Sequence, residues 1–205
     1  MALTVETSPL GPTQTNCYVV RSDPASTKVV VIDPGYEVEP PEGIEVAAIL
    51  VTHTHFDHIG GVASLAQATG ARVYIPAAEA SVLENPEAFY PGRMVRPYDP
   101  DVRLEGDEEL KLGGITFQTV SVPGHSPAHV AFAAEEALFS GDVLFAGSVG
   151  RTDLPFADWD TLVGSIQVLF DRFPPETTIY PGHGPPTTLG NERDHNPFLA
   201  ELRAS

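Results

Sequence analysis

The chain reads Thr52-His53-Thr54-His55-Phe56-Asp57-His58-Ile59-Gly60-Gly61 directly after an apolar run, which puts four imidazole or carboxylate groups within six residues. In extended backbone His53 and His55 point the same way, because side-chain direction repeats every two residues, and together they could hold one metal ion. Asp57 and His58 fall where the chain turns toward a helix, so they can aim at a neighbouring point and hold a second. At this composition, an accidental His-x-His-x-Asp-His has a probability of roughly one in two thousand over the whole chain. Three more candidates stand where a strand runs into a turn: His125 in Pro123-Gly124-His125-Ser126-Pro127, Asp142 in Ser140-Gly141-Asp142, and His183 in Tyr180-Pro181-Gly182-His183-Gly184. Glycine beside each lets the backbone turn sharply and present the side chain at a sheet edge. The chemistry such a set supports is hydrolytic. Two divalent ions lower the pKa of bound water, so that a metal-bound hydroxide can attack a carbonyl without a Ser or Cys nucleophile. Zinc is the first expectation, with iron or manganese as alternatives for imidazole and carboxylate ligands. Asp57 could also handle protons, but ligation fixes it as an anion and it is read first as a ligand.

These residues need elements that carry them to one place. Residues 16–21, 28–33 and 46–52 read as strands bounded by turn chemistry. The run from Val46 to Val51 is apolar without alternation, as a strand covered on both faces would be. A helix is expected from Ile59, with Val62, Leu65, Ala66 and Thr69 at helical spacing and Gly70 as its stop. A strand at 71–75, a helix from 77 to about 84 and an irregular stretch to about 100 follow. Strands are expected again at 108–112, 115–122, 128–134, 137–140 and 177–180. Between the last two, Asp158 caps a long helix whose apolar face is Trp159, Leu162, Val163, Ile166, Leu169, Phe170 and Phe173, ended by Pro174-Pro175. A short helix over 197–203 after an Asn196 cap closes the series. The pattern implies an α/β fold of two packed sheets with helices outside, in a single domain over residues 1–205.

Composition narrows the function classes. With 28 acidic and 11 basic residues the formal net charge is −17, which repels nucleic acid and anionic membrane surfaces. No stretch approaches the roughly 20 apolar residues needed to span a bilayer, and no leader is visible at the N-terminus, so a cytoplasmic protein is expected. Cys17 is the sole cysteine, which excludes an intrachain disulfide or a thiolate metal cage, and it is expected to pack as a small apolar residue. His129 is read as a core or supporting group rather than a ligand, and His195 as an exposed residue at a helix start. Tyr180 is expected to pack.

The segments Asp33-Pro34-Gly35, His53 to His58, Gly124-His125-Ser126, Gly141-Asp142 and Gly182-His183-Gly184 resemble, in order, the five signatures of the metallo-β-lactamase superfamily. The resemblance spans roughly residues 14–198 and implies an αββα sandwich of two mixed β-sheets with the metals at one sheet edge. It also implies a partition of ligands: His53, His55 and His125 on one ion, Asp57, His58 and His183 on the other, Asp142 between them, and Asp33 orienting the histidine loop. Within the superfamily the chain is most similar to short glyoxalase II-like hydrolases, through Thr15-Asn16-Cys17-Tyr18, Gly141 to Phe145 and Gly150-Arg151-Thr152-Asp153. That likeness implies hydrolysis of a small acyl thioester such as S-lactoylglutathione, by a monomer or small homo-oligomer. The chain departs from glyoxalase II proper in three respects. Only about 20 residues follow His183, so a C-terminal glutathione-binding domain is not expected. Pro185 stands where that family has an aromatic, and Arg151 replaces its anchoring lysine, which makes Arg151 the candidate for holding a substrate carboxylate, the alternative being an ordinary ion pair with an acid such as Asp153. The competing expectation is an oxidoreductase of the same fold, a persulfide dioxygenase with one iron on His53, His125 and Asp142. A lactone or phosphodiester hydrolase is a further alternative.

Overall fold

The computed structural model describes residues 3–40 and 43–200, and most of its strands form two six-stranded sheets. The first follows chain order: β1 (Thr4–Leu10), β2 (Thr15–Arg21), β3 (Lys28–Ile32), β4 (Glu45–Leu50), β5 (Arg72–Pro76) and β6 (Val102–Leu104). Its first three strands are antiparallel, and β3 to β6 run parallel. The second contains β7 (Glu109–Leu112), β8 (Ile115–Ser121), β9 (Val130–Ala134), β10 (Ala137–Gly141), β13 (Thr178–Pro181) and β14 (Thr187–Thr188). Its order is β14-β13-β10-β9-β8-β7, and only β10 and β13 pair in parallel. A small hairpin, β11 (Leu144–Phe145) and β12 (Ser148–Val149), follows β10.

The apolar runs without alternation are explained by cores on both faces of each sheet. In β3, Val30 and Ile32 face the second sheet, where Phe117, Phe132 and Phe139 fill the space between the layers, whereas Val29 and Val31 face the helices. Each of those fully buried phenylalanines contributes about 2–3 kcal/mol by leaving water. α1 (Phe56–Ile59), α2 (Val62–Thr69), α3 (Ala80–Glu84) and α4 (Pro86–Phe89) follow β4 and β5, and Ile59, Val62, Leu65 and Leu83 cover the outer face of the first sheet. α5 (Trp159–Arg172) and α6 (Leu189–His195) belong to the second sheet, covering it with Leu162, Ile166, Leu169 and Leu189. The layers are therefore α/β/β/α with two mixed sheets, as the resemblance implies. Among the described residues no helix is long and apolar enough to cross a membrane.

Several elements differ from the sequence reading. The helix expected from Ile59 is two helices interrupted at Gly60-Gly61, and the first begins at Phe56 and so carries Asp57 and His58. The interruption has a packing cause: a methyl group on Gly60 would stand 2.2 Å from the Gly35 carbonyl oxygen, and one on Gly61 1.9 Å from that of Tyr36. β1 was not anticipated, being an exposed edge strand with Glu6 and Pro9 rather than an apolar run. Trp159 is 40% exposed and does not join the buried face of α5. α6 is an addition, and His195 ends it rather than starting a helix, although it is exposed as expected. Asn196 does cap, accepting from Phe198 N, but over a single 3₁₀ turn, Pro197–Leu199; residues 201–203 of the expected helix lie outside the described residues.

Candidate metal centre

Asp33, His53, His125, Asp142 and His183 each stand one to four residues past the carboxyl end of a strand, namely β3, β4, β8, β10 and β13 in turn. Asp57 and His58 come from α1. All seven candidate ligands converge in three overlapping groups: His53 with His55 and His125, His53 with His58 and Asp142, and Asp57 with His58 and His183. Within each group the ligand atoms lie within 4.8 Å of one another. His55 Nδ1 is 3.0 Å from His53 Nε2 and 2.8 Å from His125 Nε2. Asp142 reaches both ends of the cluster, with Oδ1 3.4 Å from His58 Nε2 and Oδ2 3.4 Å from His125 Nε2 and 3.5 Å from His183 Nε2. His183 Nε2 is also 3.5 Å from Asp57 Oδ2.

The 3.4–3.5 Å spacings around Asp142 and Asp57 suit metal ions, whereas the 2.8 and 3.0 Å contacts of His55 are shorter than the separation around one ion. Four ligands at about 2.0–2.1 Å from a tetrahedral ion stand about 3.3–3.4 Å from one another. The buried His58 Nε2 and Asp142 Oδ1 face each other at 3.4 Å without a hydrogen bond. A cation between them would take both as ligands. Gly182 keeps the space open, since a methyl group there would lie 2.1 Å from Asp142 Oδ1 and 2.8 Å from His58 Cε1.

A shell of hydrogen bonds aims the rings. Asp33, in the left-handed region at φ 51°, accepts from Thr52 N at 2.8 Å through Oδ1 and from Thr52 Oγ1 at 2.7 Å through Oδ2. Its Oδ2 also lies 2.9 Å from His58 Nδ1, so that nitrogen donates and Nε2 is left facing the cluster. His125 Nδ1 is fixed in the same way by the Arg151 carbonyl at 2.9 Å. Thr15 Oγ1 donates to Asp57 Oδ2 at 2.8 Å.

Two electrostatic regimes meet here. Burial and the surrounding imidazoles hold His53 well below the usual histidine range, and burial with His125 brings His55 down to about 4, so both rings are neutral. Burial works to lower His58 too, but Asp142 and Asp33 raise it well above the ordinary value. Against the same burial, hydrogen bonds to Asp142 and Asp57 bring His183 up to about 9. Burial opposes ionisation of Asp57, yet the bond from His183 and the charge of His58 pull it down to about 2. Asp142 is likewise held well below the carboxylate range, chiefly by His58, against its burial.

Other residues take supporting places. His129 is neutral through burial; its ring stacks on His53 at 4.6 Å, and its Nε2 accepts from Asp142 N at 3.1 Å. Glu79 was missed by the sequence reading. It is 5% exposed; Oε2 accepts from Thr54 N at 2.9 Å and Thr54 Oγ1 at 2.8 Å, and Oε1 accepts from Ala128 N at 2.9 Å. One carboxylate thus ties the loop after β4 to the His125 turn of the other sheet. No local spacing signals it, because both partners are distant in sequence. Asn16 does the same for the His183 turn, donating through Nδ2 to Pro181 O at 2.9 Å and Gly184 O at 2.8 Å. The guanidinium of Arg151 is exposed and engaged by Asp153 in two bonds of 2.7 Å. Cys17 is buried, and its thiol is pushed up to about 12 by that burial, so it packs as expected and offers no thiolate. Tyr180 stacks on Phe139 at 5.1 Å.

Comparison with known proteins gives a consistent family. The chain is 37% identical over 203 residues to the probable metallo-hydrolase YqgX of Bacillus subtilis, covering 93% of this chain and 95% of that one. It is 34% identical over 218 residues to the hydroxyacylglutathione hydrolase GloC of Haemophilus influenzae, covering 96% and 98%. Among solved structures, the BLEG-1 B3 metallo-beta-lactamase superposes with a TM-score of 0.88 at 40% identity, over 96% of this chain and 100% of that one. TTHA1623 in a di-iron-bound form superposes at 0.79 with 41% identity, over 95% and 100%. The sequence profile of the metallo-beta-lactamase superfamily matches residues 10–183, and the chain belongs to that superfamily.

Proposed function

We propose that the protein is a binuclear hydrolase of small acyl thioesters, acylglutathiones such as S-lactoylglutathione first among them. The observation that carries this reading is the double set of converging ligands with Asp142 between them. His53, His55 and His125 would hold one divalent ion, Asp57, His58 and His183 the other, and Asp142 would face both. Bound there, the ions would activate water and polarise the substrate carbonyl. The chain's own contribution is placement. Asp33 and the Arg151 carbonyl fix which nitrogen His58 and His125 present; Thr15 orients the Asp57 carboxylate; Glu79 ties the loop after β4 to the His125 turn, and Asn16 ties the His183 turn to β2.

A thioester substrate is supported by the near full-length likeness to a hydroxyacylglutathione hydrolase. Zinc is the first metal proposed, with iron next because a relative was solved with two irons, and manganese after it. The same reading implies a cytoplasmic monomer or small homo-oligomer that uses neither nucleic acid nor a membrane. A one-iron persulfide dioxygenase would need only His53, His125 and Asp142; the group of Asp57, His58 and His183 favours the hydrolase. The test is a panel of thioester, lactone and phosphodiester substrates on protein loaded separately with zinc, iron and manganese, with oxygen uptake on glutathione persulfide in parallel. Thioester turnover in at least one metal form supports the reading. Turnover confined to another ester class, or oxygen uptake by a one-iron form, overturns it.

A further inference from the structure

A cleft of about 670 Å³ lies against α1, the helix that bears Asp57 and His58, and is lined by Tyr36, Phe56, Arg93, Met94, Val95 and Arg96. Phe56, the residue between His55 and Asp57, supplies part of that lining. Its ring meets Tyr90 edge-on at 5.8 Å, and the Arg93 guanidinium lies 4.2 Å over its centroid. Tyr90 belongs to the same neighbourhood: burial pushes its phenol up to about 12, with the carboxylates of Glu79 and Asp57 adding to the effect.

Arg93 is unusual in this chain. Acids outnumber bases 28 to 11, and every other described arginine except Arg72 has a carboxylate within 4.0 Å. Arg93 has none among the described residues and is positioned by an aromatic face instead. The one acid lining the cleft, Glu37, is engaged by Arg96 at 3.3 Å. The cleft therefore offers an uncommitted planar cation over an apolar floor, next to ligand-bearing backbone, in a protein of net charge −17. A guanidinium in that state suits a carboxylate in a two-pronged contact. Arg151, whose guanidinium Asp153 occupies, is the poorer anchor.

We propose that this cleft is a substrate subsite in which Arg93 takes a carboxylate of the substrate and Phe56 and Val95 cover its apolar part, so that the preferred substrates are carboxylate-bearing thioesters. The proposal rests on the thioesterase reading for turnover, but not for binding. The test is calorimetry with S-hexylglutathione, a thioether that cannot be hydrolysed, and with its diamide, which keeps the ammonium and carries no carboxylate, on metal-loaded wild type, Arg93→Gln, Arg93→Lys and Arg72→Gln. Loss of one charge-assisted contact is expected to weaken S-hexylglutathione binding by about ten- to a hundredfold in Arg93→Gln. Arg93→Lys should recover part of it, while the diamide and the Arg72→Gln control should not change. Parallel kinetics on an acylglutathione and on the neutral acyl-N-acetylcysteamine should show a raised KM on the first alone, with kcat within about twofold. Equal loss on both ligands, an equal effect of Arg72→Gln, or no binding of S-hexylglutathione to wild type overturns the subsite. Arg93-dependent binding without thioester turnover keeps the subsite and overturns the thioesterase reading.

Discussion

The two ends of the metal cluster are built on different electrostatics. His53, His55 and His125 form a cage of nitrogens kept neutral by burial, whereas Asp57, His58 and His183 pair carboxylate with imidazole, and two of its members sit above the usual histidine range. The first end is ready for a cation at neutral pH. At the second, protons occupy the place of an ion, and loading must expel them. Asp142 spans both and couples them.

The largest expected effect comes from breaking that span. Asp142→Asn keeps the shape but removes the charge facing both ends, and should lower kcat/KM by about a hundred- to a thousandfold, read in steady-state kinetics on metal-saturated protein. Gly182→Ala bears mainly on the second end, because the new methyl group would meet His58 Cε1 as well as the shared Asp142 Oδ1. Weaker binding of the ion at that end by about ten- to a hundredfold, with a smaller loss at the other, is expected in a metal titration. Glu79→Gln acts on the first end, since the amide loses an acceptor oxygen among Thr54 and Ala128. It should cost about 1–3 kcal/mol in denaturant unfolding and loosen the ion held by His55 and His125 more than the other.

The smallest effect is the pH dependence of the metal-free protein. The folded-state pKa of His183, at about 9, lies above that of an unfolded histidine, near 6.5. Its contribution to stability is therefore full below about pH 6.5 and lost as pH rises toward 9. The Tm of chelated protein should fall over that window, and the metal-loaded protein should not share the loss, because His183 is then neutral and ligated. A chelated protein whose Tm is flat over the window would contradict the electrostatic contrast between the two ends.

What could be read from the sequence follows from the range of the interactions involved. Ligands in tight turns after apolar strands announce themselves locally, and the spacing of His53, His55, Asp57 and His58 already separates an extended pair from a turn pair. The two-sided burial of β4 was equally visible as the apolar run from Val46 to Val51. Glu79 and Asn16 were not, because each bonds backbone 25 to 168 residues away and no nearby pattern records it. For Arg151 the sequence offered two roles, an anchor for a substrate carboxylate or an ion pair with an acid such as Asp153; the ion pair forms, and the Arg151 carbonyl makes the contact to His125. Arg93 was overlooked inside an irregular stretch, because its contact with the Phe56 ring joins residues 37 apart in sequence. The division of one expected helix into α1 and α2 has the same origin: backbone from Gly35 and Tyr36 presses on Gly60 and Gly61, a contact that helical periodicity cannot show.

The central claim is that one chain holds two ions, one at each end of Asp142. Anomalous diffraction from crystals of the metal-loaded protein tests it most directly. The account predicts two peaks, one enclosed by His53, His55 and His125 and the other by Asp57, His58 and His183, with the Asp142 carboxylate between them. A single peak on His53, His125 and Asp142 in protein saturated with metal would contradict it.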